Sequence, residues 1–290
     1  MNFDSITNLS SPIIMGILLG GLYSLIALGL SLVFGVMKLI NVAHGDLVLL
    51  SSFLAFALFS AFGLDPIISL IISIPVMFGL GYFLQTFLMN RSFKISMEAP
   101  LIITFGISII FQNIYQIIWS PMSRGLTVSY ALKSFHVGNV SIPLVYLLDF
   151  IVAIVVMLFL REFLRRTYLG KAINAASQDR GAAHLMGINT NRVYAFAFAI
   201  AMVIAAVAGV FLGLTFPFTA SAGPSYLIVA FGVIVLGGMG NMLGTFLGGA
   251  ILGLSQTLGG YYLGATAQML VAYVIVLIIM TVRPQGLFGR

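Results

Sequence analysis

Residues 224–258, PSYLIVAFGVIVLGGMGNMLGTFLGGAILGLSQTL, decide how this chain is built. The stretch has 35 residues and no charged side chain. A helix needs about 20 apolar residues to cross a bilayer, so the stretch is long for one crossing and short for two. Gly237, Gly238 and Gly240 interrupt it, with Asn241 behind them. Glycine disfavours helix, so two short helices turning at this break are expected.

The rest of the sequence has the same character. Of its 290 residues, 61% are hydrophobic and 7% charged, whereas a soluble domain carries roughly 25% charge. A surface this apolar would be sticky in water, so lipid is the solvent. Further apolar runs fall at about 12–36, 42–62, 66–89, 99–119, 143–160, 193–216 and 261–282. With 224–258 taken as two helices the count is nine, and with one broken helix it is eight. The fold class expected is an all-α polytopic bundle of eight to nine spans, one of them broken or paired. Residues 1–290 read as one membrane domain, because no polar stretch is long enough to fold separately. The opening residues lack a basic n-region, so the first apolar run is expected to remain as a span.

Basic residues in short loops set orientation. Arg161, Arg165, Arg166, Lys171, Arg180 and Arg192 fall in one loop, about 161–191 and its edge, which is placed in the cytoplasm. Alternation then brings Lys38, Arg91 and Lys94 to the same side, and nine spans add Arg283 and Arg290. Only Arg124 and Lys133, in an external loop at about 120–142, fall outside. The net charge of +6 is therefore a topology signal, not a sign of nucleic-acid binding. Small residues at four-residue spacing (Gly16 and Gly20, Gly209 and Gly213, Gly244 and Gly248, Gly249 and Gly253) are expected to mark close helix contacts.

Several chemistries are excluded. There is no cysteine, and His44, His136 and His184 lie far apart, so thiol catalysis and a histidine metal cluster are not expected. No Walker A, HExxH or GxSxG pattern occurs. No cofactor is expected, and any ATP-driven work must come from another subunit.

The cytoplasmic loop contains QDRGAAHLMGINTNRV (178–193). Asp179 can cap a short helix from Arg180 to Met186, and Gly187 fits the left-handed position that ends it. A helix this short is marginal alone and needs a partner surface. Ala182, Ala183 and Met186 would form a small apolar knob, rimmed by Arg180, His184 and Arg192.

Gly181-Ala182-Ala183-x-x-x-Gly187 is similar to the EAA-x3-G loop of ABC-importer permeases, with Gly181 where that family has Glu. GGLYSLIALGLSLVFGVMKLINVAHGDL (20–47), GINTNRV (187–193), GVIVLGGMGN (232–241) and RPQGLFG (283–289) resemble the branched-chain amino acid permeases, and in order they span nearly the whole chain. The resemblance implies a permease subunit in the bacterial inner membrane that carries leucine, isoleucine, valine or related small polar solutes. It implies a second related permease, identical or not, two ATP-binding subunits, and a periplasmic or lipid-anchored binding protein. It also implies that residues 179–188 (Asp179, Arg180, Gly181, Ala182, Ala183, His184, Met186 and Gly187 among them) couple to the ATPase. Sister systems carry urea or short amides.

Polar residues inside apolar runs are costly and need a reason. Thr104, Ser108, Gln112 and Gln116 recur at four-residue steps, with Asn113 beside them. They could line a translocation path or bond helix to helix. Asp149, six residues inside its span, could meet substrate, pair with a basic group or reach the headgroups. Asn41, His44 and Asp46, after Lys38, are placed near the cytoplasmic face. Capping and ion pairing are expected of them there, with a cytoplasmic gate or a site for coupling to the ATPase as the sharper reading. Pro217, Phe218 and Thr219, with the external loop, could dock a binding protein. A secondary ion-coupled transporter is the rival class; it would use Asp149 or the 237–241 break and leave the cytoplasmic helix without a role.

Overall fold

A computed structural model describes residues 3–93, 95, 96, 98–137 and 140–289. Lys94 and Arg290, counted among the basic residues above, lie outside the described residues, as does part of the external loop (138–139). The helices in chain order are α1 (Phe3–Met37), α2 (His44–Phe62), α3 (Leu70–Leu84), the short α4 (Asn90–Ser92) and α5 (Ala99–Trp119). Then come α6 (Leu144–Arg166), α7 (Tyr168–Gln178), α8 (Arg180–Leu185), α9 (Thr190–Thr215), α10 (Gly223–Gly237), α11 (Met242–Leu263) and α12 (Gln268–Val282). A π-helical turn, Gln85–Met89, joins α3 to α4, and strands β1 (Ser134–Val137) and β2 (Val140–Pro143) form an antiparallel hairpin before α6.

Among the described residues eight helices are long and apolar enough to cross a membrane, and α10 is a shorter apolar helix of 15 residues. The break in 224–258 is where the glycines placed it, but only α10 is short: α11 runs 22 residues, to Leu263, and is long enough to span. Gly238 and Gly240 have φ of 95° and 84°, a conformation that glycine adopts without strain. The Asn241 side chain then caps α11 by accepting from Gly244 N–H at 3.1 Å. Pro224, one residue into α10, occupies a position where its missing N–H costs nothing.

The close-packed glycines mark helix contacts except Gly213, which lies against Leu126 and Phe218 of the outer loops. Gly16 and Gly20 of α1 lie against Gly253, Gly249 and Ala250 of α11, and Ser24 bonds the Phe246 carbonyl at 3.0 Å. The two helices are therefore antiparallel. Gly209 abuts the Val48 backbone of α2, and Gly244 and Gly248 abut α10. In lipid, such backbone approach replaces the hydrophobic drive.

A second antiparallel pair repeats the first. In α3 and α9, Gly81 lies against Met202, Tyr82 against Phe196, and Asn90 bonds the Asn191 carbonyl at 3.2 Å. The helices fall into two units of the same order, α1-α2-α3-α5 and α9-α10-α11-α12. Each has a long buried helix, a short irregular segment (38–43 or 216–222), a helix that starts inside the bundle, then two further helices. Chain alternation gives the units opposite directions, the inverted repeat seen in many transport folds. α6 links them on one side of the membrane to α7 and α8 on the other. The core is filled by α1 and α9, most of whose residues from Leu18 to Val36 and from Val193 to Leu214 are buried.

Candidate functional site

The two irregular segments meet inside the bundle. After Lys38 N–H closes the last helical bond of α1 on Phe34, residues 39–43 run back along it without helical bonding, and α2 begins only at His44. His44 Nε2 lies 2.7 Å from the Ile26 carbonyl, and Gly29 packs between His44 and Ala201. Ile26, Gly29, Ala201 and Ser108 each stand about 12–17 Å from the cytoplasmic ends of their helices at 1.5 Å per residue. That is close to the middle of a hydrocarbon core about 30 Å thick. α10 starts at the same place from the other side, with Gly45 against the Gly223 backbone and Gly223 against the Asp46 carboxyl. A side chain at Gly45 would strike the Gly223 backbone, and one at Gly223 would displace the Asp46 carboxyl.

This corrects the expected position of Asn41, His44 and Asp46. They are fully buried and deep in the bundle, and Lys38 stays exposed. Asp46 accepts from the Ser108 hydroxyl and, at 3.4 Å, from Gln112 Nε2, so its partners are neutral groups on α5 and not Lys38. Asn41 does not cap α2, which has no side-chain cap; its Oδ1 accepts from Ala43 N–H at 3.1 Å in a turn ahead of the helix. Val42 N–H finds Thr104 Oγ1 at 3.2 Å. These bonds satisfy backbone that leaves the helical pattern at membrane depth, which lipid could not do. Asn41 Nδ2, His44 Nδ1 and Asp46 Oδ1 remain without a partner among the described residues.

The polar stripe of α5 divides. Thr104 and Ser108 are buried and face α2; Gln112 is half-buried and bridges Ser108 at 3.0 Å. Asn113 and Gln116 are exposed on the outer surface of the protomer, Asn113 bonding only the Ile109 carbonyl of its own helix at 2.7 Å. Four residues advance a helix by about 400° at 3.6 residues per turn. A four-residue series therefore drifts about 40° per step, and three steps carry it from the α2 contact to the outside.

Asp149 reaches neither headgroups nor an open path. It is fully buried on α6 and accepts from Thr215 Oγ1 of α9 at 2.8 Å. On the outer side, Arg124 and Phe218 exchange backbone bonds of 2.9 and 2.8 Å, which ties the external loop to the 216–222 segment. Arg124 also lies 5.3 Å from the Phe56 ring centre and donates to the Trp119 carbonyl. Tyr130 donates to Asp65 at 3.0 Å; burial, and then this bond, push its phenol up from the usual value, so it remains a donor. The hairpin that completes this surface was missed. Its signal was the Gly138-Asn139 pair between two short runs.

On the cytoplasmic side, Asp179 Oδ1 accepts from Gly181 N–H at 2.7 Å and Ala182 N–H at 3.0 Å. Gly187 ends the turn with φ 81°. The apolar face differs from the one expected. Ala183 is only 5% exposed and faces the bundle, whereas Leu185 and Met186 are 88% and 83% exposed. Arg180 is not a free rim charge. Its guanidinium donates to Asn191 Oδ1 at 3.1 Å and lies over the rings of Tyr194 (5.3 Å) and Phe93 (6.0 Å). The short helix is thus fastened to the start of α9 and to the turn before α5. Two distant motifs also join: Leu287 N–H donates to the Leu236 carbonyl at 2.9 Å, and Asn241 Nδ2 to the Phe288 carbonyl at 2.9 Å, so RPQGLFG packs under the GGMGN turn.

Comparison with known proteins agrees with this architecture. The family model described as branched-chain amino acid transport system / permease component matches residues 13–280. The high-affinity branched-chain amino acid transport system permease protein BraD of Pseudomonas aeruginosa is 31% identical, over 96% of this chain and 95% of its own. The corresponding permease protein LivH of Escherichia coli is also 31% identical, over 95% and 94%. Among solved structures, PsaBC from Streptococcus pneumoniae, in complex with Fab, has the same fold at a TM-score of 0.51 and 15% identity, covering 93% of this chain and 91% of that one. Like its relatives the chain is a transport subunit and not an enzyme, and its apolar helices make it a multi-pass protein of the bacterial inner membrane. From the motif order, the helical architecture and the match over residues 13–280, the chain belongs to the permease-component family of branched-chain amino acid transport systems.

Proposed function

We propose that this chain forms the translocation path of an ATP-driven importer for leucine, isoleucine, valine or closely related small zwitterions. Its protomer interior is filled by α1 and α9, so the path lies on its surface, shared with a second, related permease. The observation that carries this is the exposed pair Asn113 and Gln116 on α5. Among the exposed residues of α5 they stand out between Ile109, Ile110, Ile114, Ile117 and Ile118. Amides facing lipid are costly, whereas facing a second subunit they can exchange hydrogen bonds with a passing amino acid. Gln112, held by Ser108 and Asp46, extends that polar edge inward.

The drive enters through α8. Two ATP-binding subunits beneath the membrane grip Leu185 and Met186, with His184 beside them. Asp179 and Gly187 keep the helix formed, and Gly181 and Ala182 keep its outer side slim. Arg180 passes the displacement to Asn191 and Tyr194 of α9 and to Phe93 ahead of α5. A periplasmic or lipid-anchored binding protein docks on the outer surface built from the external loop, the hairpin and residues 217–219. Asp149 holds α6 to α9 and is a positioning group.

The test is reconstitution. The protein, purified with its ATP-binding subunits and sister permease, should take up branched-chain amino acids only with ATP. Uptake by this chain alone, driven by an ion gradient, would overturn the reading. Urea or amide uptake in preference to leucine would keep the mechanism and change the substrate.

A further inference from the structure

A recess of about 1010 Å³ is lined by the cytoplasmic ends of α6 and α11, by α7, and by Phe288 and Gly289. Arg161, Arg165 and Lys171 line it together with the apolar Leu164, Met242 and Leu243, and no acidic residue does. Among the described residues these three cations have no ion-pair partner. The neighbouring Glu162 is turned to Arg166, four residues along the same helix. Unpaired like charges crowded at one opening repel one another unless an anion joins them.

The surface above the recess is apolar and exposed. Leu158 stands one turn membranewards of Arg161 on α6, and Leu247 one turn membranewards of Leu243 on α11. A protein partner docking from the cytoplasm would meet α8; this strip leads into the hydrocarbon region. A ligand that suits both parts carries an anion at one end and an alkyl chain at the other. We propose that the recess binds the headgroup of an anionic phospholipid of the cytoplasmic leaflet, with an acyl chain along Leu158 and Leu247. Basic pockets between membrane helices on that side are suited to such headgroups.

Native mass spectrometry of the detergent-purified protein tests this, with phosphatidylglycerol, cardiolipin and phosphatidylcholine as probes. The anionic lipids should be retained and phosphatidylcholine lost. Arg161→Gln with Arg165→Gln and Lys171→Gln should weaken retention at least about tenfold, since each cation near a membrane surface contributes appreciably. Arg161→Lys with Arg165→Lys, which keeps the charge, should retain the lipid, and a triple variant whose Tm matches wild type shows that its own loss is not misfolding. Equal retention of phosphatidylcholine, or undiminished retention by the triple variant, overturns the proposal. So does displacement of all bound lipid by millimolar inorganic phosphate, which would mark a free-anion site. A triple variant that keeps its lipid but no longer co-elutes with the ATP-binding subunits would reassign the recess to a protein contact.

Discussion

Asp46 shows how far a single residue can be read from sequence. That it needs partners was visible, since an acid inside an apolar run is costly; the ion pairing expected of it does not form, and neutral groups on α5 take its place. Its depth was not visible, because hydropathy merges the irregular segment 38–43 with the helix that follows. Its partners, Ser108 and Gln112, come from another helix, and such pairing is set by tertiary packing. Ser108→Ala removes one of the Asp46 bonds and should lower unfolding free energy by about 1–3 kcal/mol, read as a lower Tm in detergent. Gly223→Ala pushes a methyl into the Asp46 carboxyl and should abolish stable expression. Gly106→Ala, on the same α5 as Ser108 but with open space around it, should be neutral or gain about 0.5–1 kcal/mol from reduced chain entropy. Equal losses at Gly223 and Gly106 would mean that the meeting of α2 and α10 is not tight.

At the level of elements, α8 was legible wherever its chemistry is local. Asp179 caps and Gly187 terminates because those bonds are made within a few residues. Ala182 and Met186 are exposed as read, but Ala183 was misjudged, because a helix of six residues is oriented by what it rests on, and Ala183 supplies that rest. Leu185→Asp with Met186→Asp should abolish co-elution with the ATP-binding subunits and leave Tm unchanged. Ala183→Asp should instead lower Tm by burying a charge. Arg180→Ala should preserve the complex but lower transport per ATP hydrolysed several-fold, by releasing α8 from Asn191 and Tyr194. Unchanged coupling in that variant would remove Arg180 from the transmission route.

For the whole molecule, the sequence set out the spans, the break at 237–241 and the helix contacts at the paired glycines other than Gly213, because all three depend on local composition. The inverted repeat was not legible, since its halves share helix order without obvious residue identity. Nor was the outward turn of Asn113 and Gln116, which follows from helical drift. Replacing both by Leu should leave the protomer's Tm unchanged and reduce uptake at least about tenfold if they face the path. Loss of the permease–permease complex instead would make them interface residues. The start of α10 beside α2 also bears on biogenesis. A segment of 15 residues is a poor substrate for insertion on its own, and its berth exists only once α2 is in place. It should therefore enter the membrane late, folded back with α11 as one hairpin. Because the sequence has no cysteine, a single Val229→Cys can report this. In a chain stopped at Asn241 it should react with a membrane-impermeant maleimide, and in the full chain it should be protected. A segment made well after α2 would then complete the middle of the membrane domain.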